Sequence, residues 1–303
     1  MSVVLIGGGT GLVGSRMSEI LRERGYEVRH LSRKRNLDAK FPAYHWDTET
    51  QIIDPDAMEG VDYLVNLAGA GIADKRWTDS RKKLIIESRT KTTDLLRKYL
   101  ENGALKPKAF VSASAVGYYG NRGNELMTEE NAPKDGFLSK SVILWEDAVK
   151  MIEETGLRTV RIRTGIVLSK KGGALPELTQ TFPFLIGAYF GNGQAYASWV
   201  HIDDIARIHI FAMENEHIHG AINAVAPNPA HMRDLVVKAK EASGKPVLIL
   251  PAPEFVIKLL FGEMSHTVLD STRVSSQKLE EAGFAFEFPE LLPALKDIYR
   301  RGV

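Results

Sequence analysis

The chain begins MSVVLIGGGTGLVG, residues 1–14, and this stretch decides the predicted fold. Residues 2–6 are a short run rich in β-branched side chains, which is typical of a buried strand. The glycines Gly8, Gly11 and Gly14 then recur at a spacing of three and lead into an amphipathic segment, residues 11–24, that ends before Gly25. A helix is therefore predicted to follow the strand across a tight glycine turn.

Each glycine in this turn meets a separate physical requirement. A tight turn needs a residue that tolerates positive φ, and a pyrophosphate can approach only bare backbone N–H groups at a helix N-terminus. The last glycine lets the helix pack closely on the strand. The alternative is a glycine-rich turn without a ligand. The residues predicted to bind a dinucleotide in this loop are Gly8, Thr10, Gly11, Leu12, Val13 and Gly14.

Short apolar runs alternate with amphipathic segments through the first half of the chain. This alternation predicts a parallel sheet with right-handed crossovers. The predicted strands are residues 27–31, 63–67, 109–112 and 158–163, and the predicted helices are residues 90–101 and 139–154. The fold class that follows is α/β: a Rossmann, doubly wound parallel sheet with a smaller, interleaved C-terminal α+β substrate lobe.

The pattern loosens after Leu168, where glycines, aromatics and later prolines become frequent. Residues 200–215 are predicted to form a short strand and a helix that return to the first domain. The predicted division is therefore a nucleotide-binding domain of residues 1–168, completed by about 199–225. Residues 169–198 and 226–303 are assigned to the smaller substrate lobe.

Composition narrows the classes of function. The net charge of +1 favours neither nucleic acid nor an anionic membrane as a partner, and a small-molecule substrate is expected instead. The chain has no cysteine, which excludes a disulfide framework, a thiolate nucleophile and a cysteine-bound metal. This composition suits a reducing cytoplasm. The oligomeric state is left open.

The end of the second predicted strand indicates which dinucleotide binds. An NAD site usually has an acidic residue there, hydrogen-bonded to the ribose 2′-hydroxyl. Here Ser32, Arg33 and Lys34 follow instead, a hydroxyl and cations that suit a 2′-phosphate and therefore NADP(H). The alternative is a solvated basic loop. Asp47, after the third strand, would either accept a hydrogen bond from the adenine amino group or be an ordinary turn aspartate.

Several blocks along the whole chain carry a family resemblance. Besides the glycine loop they are NLAG (66–69), SASAVGYYG (112–120), RTGIVL (163–168), WVHIDD (199–204) and NAVAP (223–227). In their order and spacing they resemble the atypical extended short-chain dehydrogenases/reductases, the epimerase-like or YfcH-type NADP-binding oxidoreductases.

The resemblance implies further cofactor contacts. Leu67, Ala68 and Gly69 would line the adenosine and pyrophosphate, Arg89 would approach from the next helix, and Ile166 and Val167 would flank the nicotinamide. For Leu67 and Val167 the alternative is plain core packing, and for Arg89 it is a surface ion pair.

The chain departs from the standard superfamily at the catalytic pair. A Tyr-x-x-x-Lys pair places both side chains on one helix face, where the lysine lowers the tyrosine pKa. No tyrosine here has lysine four residues later, and Leu138 and Val142 occupy the expected positions. The catalytic candidates are therefore Ser114, expected to orient the substrate oxygen as a hydrogen-bond donor, and Tyr118 or Tyr119 for proton transfer. Alternatively, both tyrosines only line the pocket.

These features predict an NADP(H)-dependent oxidoreductase or epimerase-like enzyme acting on a small hydroxyl or carbonyl compound. The alternative is a non-catalytic NADP(H)-binding sensor or partner-binding protein. No metal site is predicted, because His201 with Asp203 and Asp204 lacks ligand spacing. A structural or helix-capping role is expected for Asp203 or Asp204 instead.

Overall fold

The computed structural model describes all 303 residues, which form sixteen strands and ten α-helices. The strands are β1 (Val3–Gly7), β2 (Glu27–Ser32), β3 (Ala43–Asp47), β4 (Ile52–Ile53), β5 (Val61–Asn66), β6 (Ala109–Ala115), β7 (Leu126–Met127), β8 (Thr159–Thr164), β9 (Ile166–Leu168), β10 (Ile186–Phe190), β11 (Tyr196–Ala197), β12 (Trp199–His201), β13 (Gly220–Ala224), β14 (Ala230–His231), β15 (Leu248–Ala252) and β16 (Arg273–Val274). The helices are α1 (Leu12–Glu23), α2 (Asp79–Glu101), α3 (Phe137–Glu153), α4 (Ala174–Thr179), α5 (Ile202–Glu214), α6 (Met232–Ser243), α7 (Glu254–Phe261), α8 (His266–Leu269), α9 (Gln277–Glu281) and α10 (Leu291–Arg301).

Eight strands form the central sheet, in the order β13-β8-β6-β5-β1-β2-β3-β4. Every pair in it is parallel except β3 and β4 at one edge. The strand order runs outward in both directions from β1, which is the doubly wound arrangement that the sequence predicted. In such sheets ligands bind outside the carboxyl ends of the strands where the order reverses, here beside β1.

Helices cover both faces of this sheet because successive side chains of a strand point to opposite faces. Ile6 of β1 lies in a hydrophobic cluster with Met17 of α1 and Ile205 of α5. Leu5, the preceding residue, lies in a second cluster with side chains of α2 and with Trp145 of α3. Both faces of β1 are therefore buried, and its carboxyl end is the part of the strand that can meet a ligand.

The remaining elements surround a separate cluster that contains Leu168, Leu235 and Leu295. Trp199 belongs to this cluster, whereas Val200, the next residue, belongs to the cluster of α1 and α5. The chain thus passes from one core to the other within β12. The exact division at residues 168, 199 and 225 stays a prediction.

Two details differ from the sequence-based expectations. Helix α2 begins at Asp79, not near residue 90, with Thr78 as its cap, accepting a hydrogen bond from the Arg81 N–H. Helix α5 is capped by His201, whose Nδ1 accepts from the Asp203 N–H at 3.1 Å, and not by an aspartate. No helix combines the length and the apolar character that crossing a membrane requires.

A buried ion network joins α1, α5 and α10. Arg16 of α1 donates two hydrogen bonds to Asp203, at 2.7 and 3.1 Å, and Arg301 of α10 donates a third at 2.8 Å. Arg301 also pairs with Asp297 on its own helix. Burial alone would raise the pKa of Asp203, but the two arginines outweigh burial and hold that pKa below its usual range.

Replacing Asp203 with asparagine should destabilise the protein in a pH-dependent way. The lowered folded-state pKa means that the ionised form stabilises the fold above the ordinary aspartate pKa of about 3.9. This stabilisation disappears as the pH falls through the folded-state value. We expect Asp203→Asn to lower the free energy of unfolding by about 2 kcal/mol at pH 7, with a gap that narrows below pH ~4.

Urea unfolding of both proteins between pH 3 and 8 measures this gap. Asp147→Asn is the matched control, since Asp147 pairs with Lys150 on the exposed face of α3 and should contribute little. Equal effects of the two substitutions at pH 7 would contradict a stabilising role for the buried network.

Candidate cofactor site and active site

The glycine loop leaves the first turn of α1 open to a ligand. Gly8 has φ +78°, and its carbonyl accepts a hydrogen bond from the Gly11 N–H at 3.0 Å. Gly11 is the N-cap of α1, and it has no side chain to satisfy the N–H groups of the first turn. The first turn also lacks an acidic residue. Thr10 and Gly11 are exposed, so these backbone donors and the positive helix end are available to an anion.

Two glycines beside the loop have no room for a side chain. A Cβ built on Gly14 would lie 2.5 Å from the Gly8 carbonyl oxygen and 2.7 Å from the Gly9 Cα. A Cβ on Gly9 would lie 2.3 Å from the ring of His30 in β2. Burial lowers the pKa of His30 to about 4, so the ring beneath the loop is neutral near pH 7. The loop geometry therefore rests on close packing of Gly14 against the loop backbone and of Gly9 against the His30 ring.

Unpaired cations lie at the carboxyl end of β2. Arg33 and Lys34 follow Ser32, and both are exposed and form no ion pair. Arg35, one residue further, is held by Asp54 at 3.3 Å and by Asp56 at 2.8 Å. Only the first two of these three consecutive cations are therefore free to meet a phosphate.

Asp47 ends β3 and takes part in a local turn. Its Oδ1 accepts hydrogen bonds from the Glu49 N–H at 2.8 Å and from the Thr50 N–H at 3.5 Å. The bond from Glu49 is the main reason that the pKa of Asp47 lies below its usual range. This is the geometry of a turn aspartate. It leaves Oδ2 without a protein partner, so contact with an adenine amino group stays a prediction.

The segment after β5 lies directly against the glycine loop. The Leu67 N–H donates to the Gly7 carbonyl at 2.7 Å, and a Cβ on Gly8 would lie 2.8 Å from the Ala68 nitrogen. A Cβ on Gly69 would lie 3.0 Å from the guanidinium carbon of Arg89. The carboxyl ends of β1 and β5 thus meet at one place, as their parallel pairing requires.

Arg89 reaches this place from α2 without a carboxylate partner. Its Nη1 donates to the Ile85 carbonyl at 2.8 Å, and its guanidinium lies 5.1 Å from the centre of the Trp145 ring. Burial lowers the pKa of Arg89 to about 10. It remains a cation near pH 7, and it is not the surface ion pair that was the alternative reading of this residue.

A buried hydrogen-bonded network organises the carboxyl end of β6. The Ser114 hydroxyl donates to Glu146 of α3 at 2.6 Å. Arg163 of β8 donates to both oxygens of Glu146, at 2.8 and 2.9 Å. Arg163 also donates to the Tyr119 hydroxyl at 2.9 Å, which in turn donates to Asn223 of β13 at 2.7 Å. The Ser114 hydroxyl therefore donates to Glu146, and the expectation that it donates to a substrate oxygen is wrong. Its oxygen is left as an acceptor for any further partner.

The two candidate tyrosines have different surroundings. Tyr119 is fully buried, and burial, outweighing the effect of Arg163, raises its pKa to about 12. Tyr118 is half-buried, and its hydroxyl has no hydrogen-bond partner in the protein. The guanidinium of Arg163 lies 3.5 Å from the centre of the Tyr118 ring. Of the two phenols, only that of Tyr118 is therefore free to meet a substrate.

The positions of the missing catalytic pair are filled by apolar packing. A Cβ built on Gly117, in the turn between Ser114 and Tyr118, would lie 3.6 Å from the Leu138 Cβ and 3.9 Å from the Val142 Cγ2. The turn thus sits on the face of α3 that carries Leu138 and Val142, whose equivalence to the standard tyrosine and lysine stays a prediction.

Ile166 and Val167 lie in β9, which pairs with β12, and both are partly exposed. Val167 packs at the edge of the α1 and α5 cluster and Ile166 at the edge of the smaller lobe's cluster. Leu12 of α1 lies close by, because a Cβ on Gly173 would be 2.7 Å from the Val167 carbonyl oxygen and 3.5 Å from the Leu12 Cδ2. These residues stand between the two cores, and their contact with a nicotinamide stays a prediction.

Sequence reasoning overlooked the roles of Glu146, Arg163 and Asn223. The available signal was local: Glu146 interrupts the apolar face of α3, and Arg163 follows the buried Ile162 in a strand that is mostly buried. Charged residues at such positions are almost always paired, so each predicts a partner, although not which one.

Two family profiles match the sequence of this chain. The profile of the NAD dependent epimerase/dehydratase family matches residues 4–224, and a domain family of unknown function matches residues 252–298. The epimerase family protein YfhF of Bacillus subtilis is 35% identical over 294 residues, which are 96% of each chain.

Two solved structures extend the comparison. The crystal structure of human epimerase family protein SDR39U1, isoform 2, with NADPH superposes with a TM-score of 0.88 at 31% identity, covering 98% of this chain and 99% of that one. UDP-N-acetylglucosamine 4-epimerase from Bacillus cereus has a TM-score of 0.80 at 17% identity, covering 100% and 99%, a likeness of fold alone.

The lack of space beside Gly14 predicts what adding a methyl group there does to stability and to dinucleotide binding. Gly14→Ala should lower the free energy of unfolding by about 1–3 kcal/mol and weaken dinucleotide binding, because the new Cβ pushes α1 away from the loop. Urea unfolding and calorimetric titration measure the two effects. Gly172→Ala is the control, since its Cβ would meet only Leu12 at an ordinary 3.6 Å. A fully stable Gly14→Ala protein would contradict the packing argument.

Proposed function

Because the chain belongs to the NAD-dependent epimerase/dehydratase family, we propose that it is an NADP(H)-dependent oxidoreductase acting on a small hydroxyl or carbonyl compound. One observation carries the proposal. The carboxyl ends of β1, β2, β5 and β6 bring together an open helix N-terminus, unpaired cations and a phenol without a protein partner. That edge of a doubly wound sheet is where ligands bind.

The residues of the loop fit the cofactor. The pyrophosphate would lie on the N–H groups after Gly11, in the space kept open by Gly8 and Gly14. The 2′-phosphate would meet Ser32, Arg33 and Lys34 at the end of β2, where no carboxylate competes for the two cations. Arg89 has donors left over for the adenosine or pyrophosphate. The solved human relative carries NADPH, which supports this choice of cofactor.

The proposed chemistry places substrate beside Ser114 and Tyr118. When bound, NADPH supplies a hydride and NADP⁺ accepts one. In the reducing direction the carbonyl carbon receives the hydride, and its oxygen takes a proton from the Tyr118 hydroxyl. The Arg163 guanidinium over the ring stabilises the phenolate that remains, and water returns the proton.

Ser114 orients the substrate in this scheme. Its hydroxyl proton is directed to Glu146 at 2.6 Å, so its oxygen accepts a hydrogen bond from a substrate hydroxyl. In the oxidising direction that contact, made by a second hydroxyl of the substrate, fixes the neighbouring hydroxyl, whose proton passes to the Tyr118 phenolate. Glu146 and Arg163 are positioning residues, because they act through Ser114 and Tyr118.

A non-catalytic NADP(H) sensor is the second candidate, favoured by the apolar Leu138 and Val142 at the standard catalytic positions. The two functions differ in turnover: an oxidoreductase converts at least one carbonyl compound, whereas a sensor binds NADP(H) and converts none. A cytoplasmic location is proposed for either function and rests only on the absence of cysteine.

The cofactor assignment is tested by calorimetric titration with NADPH and with NADH. Arg33→Ala should weaken NADPH binding by about tenfold, because a charge-assisted phosphate contact is lost, and should leave NADH binding nearly unchanged. Arg35→Ala is the matched control: it removes a neighbouring arginine that Asp54 and Asp56 already occupy.

Selective loss in Arg33→Ala alone supports the 2′-phosphate contact. Equal affinity of the unmodified protein for NADPH and NADH would contradict it. Failure to bind either nucleotide would overturn the proposed function as a whole.

The catalytic assignment is tested by comparing two phenylalanine variants. Tyr118→Phe should lower kcat by about 100-fold or more with an unchanged NADPH affinity, since it removes the proton donor. Tyr119→Phe should mainly cost stability, about 1 kcal/mol, because it deletes a buried hydroxyl bonded to Arg163 and Asn223. NADPH oxidation over a panel of aldehydes, ketones and quinones gives the rates. Full turnover by Tyr118→Phe would exclude the role given to Tyr118.

A further inference from the structure

A polar cavity of about 330 Å³ lies in the smaller lobe, and none of the residues assigned to catalysis lines it. It opens between β11, β16, the segment that leads into α6, and the start of α10. Its cationic and aromatic lining consists of Tyr196, His231, Lys238 and Arg273, and its acidic lining of Asp234 and Glu290. The volume lies at the lower end of the range for small-molecule sites.

Arg273 is the unusual member of this lining. It is half-buried, yet its side chain forms no ion pair and donates no hydrogen bond within the protein. Its Nε is buried from solvent and has no partner. Its guanidinium lies over the aromatic ring of Tyr196, and the distance from the guanidinium carbon to the ring centre is 5.2 Å. A buried donor without an acceptor costs free energy, so an acceptor supplied by a ligand would stabilise this arrangement.

Further unpaired groups surround Arg273. Lys238 of α6 is half-buried and forms no ion pair. The ring of His231 lies 4.3 Å from that of Tyr196, and its Nδ1 is bonded to the Gln194 carbonyl at 2.8 Å, which leaves Nε2 free.

The acidic residues of the lining do not neutralise these cations. Glu290 accepts a hydrogen bond from the Asn228 amide at 2.7 Å, and Asp234 is exposed at the rim. Neither carboxylate forms an ion pair with Arg273 or Lys238, since neither has an oxygen within 4 Å of a nitrogen of these two side chains.

The cavity and the catalytic turn lie on opposite sides of β16. Val274 packs in a buried cluster with Tyr119 and Met127, with Tyr118 at its edge. Since successive residues of a strand point to opposite faces, Arg273 points away from that cluster. A ligand held by Arg273 therefore occupies a site of its own.

We propose that this cavity binds a small molecule that carries a carboxylate or a phosphate group. Arg273 binds the anionic group through the fork of its guanidinium, a geometry that matches both groups, and Lys238 supplies a second charge. The adjacent rings of Tyr196 and His231, tilted by 36° to each other, form an aromatic wall for the rest of the molecule.

The test is a calorimetric titration with inorganic phosphate and with succinate, each at constant ionic strength. We expect saturable binding of at least one probe, weakened about tenfold or more in Arg273→Gln. Arg233→Gln is the matched control: Arg233 also lies over a tyrosine, Tyr189 at 5.7 Å, without an ion pair, but it does not line the cavity. Arg33→Ala serves as a second control, because phosphate could also bind at the cofactor loop.

The variants separate the outcomes. Binding that is lost in Arg273→Gln, reduced in Lys238→Gln and kept in both controls supports the proposal, and the probe that binds identifies the anionic group. If neither probe shows saturable binding, the proposal is overturned. Binding unchanged in Arg273→Gln, or lost instead in Arg33→Ala, overturns it as well. If Arg273→Gln fails to fold, Arg273→Lys keeps the charge without the fork and should bind more weakly.

Discussion

The close contact between the start of α1 and the glycine loop is the constraint on which the rest of the structure depends. With hydrogen in place of a side chain at Gly14, α1 lies against the Gly8 carbonyl, which fixes where the helix starts and how it packs on β1. The same placement carries Met17 into the core and Arg16 to Asp203, so the ion network with α5 and α10 follows from it. It also leaves the first N–H groups of the helix free, so packing and anion binding share one cause.

The elements predicted well from the sequence are those whose pattern of apolar residues is set by burial in the core. Strands β1, β2, β5 and β8 and helix α1 lie within two residues of their predicted bounds, because apolar runs and glycine stops reflect the core directly. Helix α2 was predicted too short because its first turns are charged and solvated, and only the cap at Thr78 announces its start. The network of Ser114, Glu146 and Arg163 could not be predicted from the sequence, since it joins residues of three elements whose pairing depends on the sheet order.

The buried pair of Arg163 and Glu146 explains how a site without the standard lysine can hold a charge beside a phenol. An isolated guanidinium would be very costly in this position, but Glu146 binds it through two hydrogen bonds. Glu146 in turn fixes Ser114, and Arg163 fixes Tyr119 and lies over Tyr118. One ion pair thus sets the geometry of all three residues that the sequence proposed for catalysis. It also separates their roles, because the Tyr119 hydroxyl is hydrogen-bonded within the network and the Tyr118 hydroxyl has no partner in the protein.

The unpaired arginines of the structure differ in what they imply. Arg33 is exposed, so water satisfies its donors, and its freedom shows only that a phosphate would meet no competitor. Arg89 carries its charge where solvent is scarce, and half-buried Arg273 has an Nε that is both buried and unpaired. A fold keeps such a cost only where something offsets it, and stacking on Trp145 or Tyr196 offsets part of it. The remainder is a physical reason to place an anion beside each: at Arg89 within the cofactor site, and at Arg273 within a separate cavity of the smaller lobe.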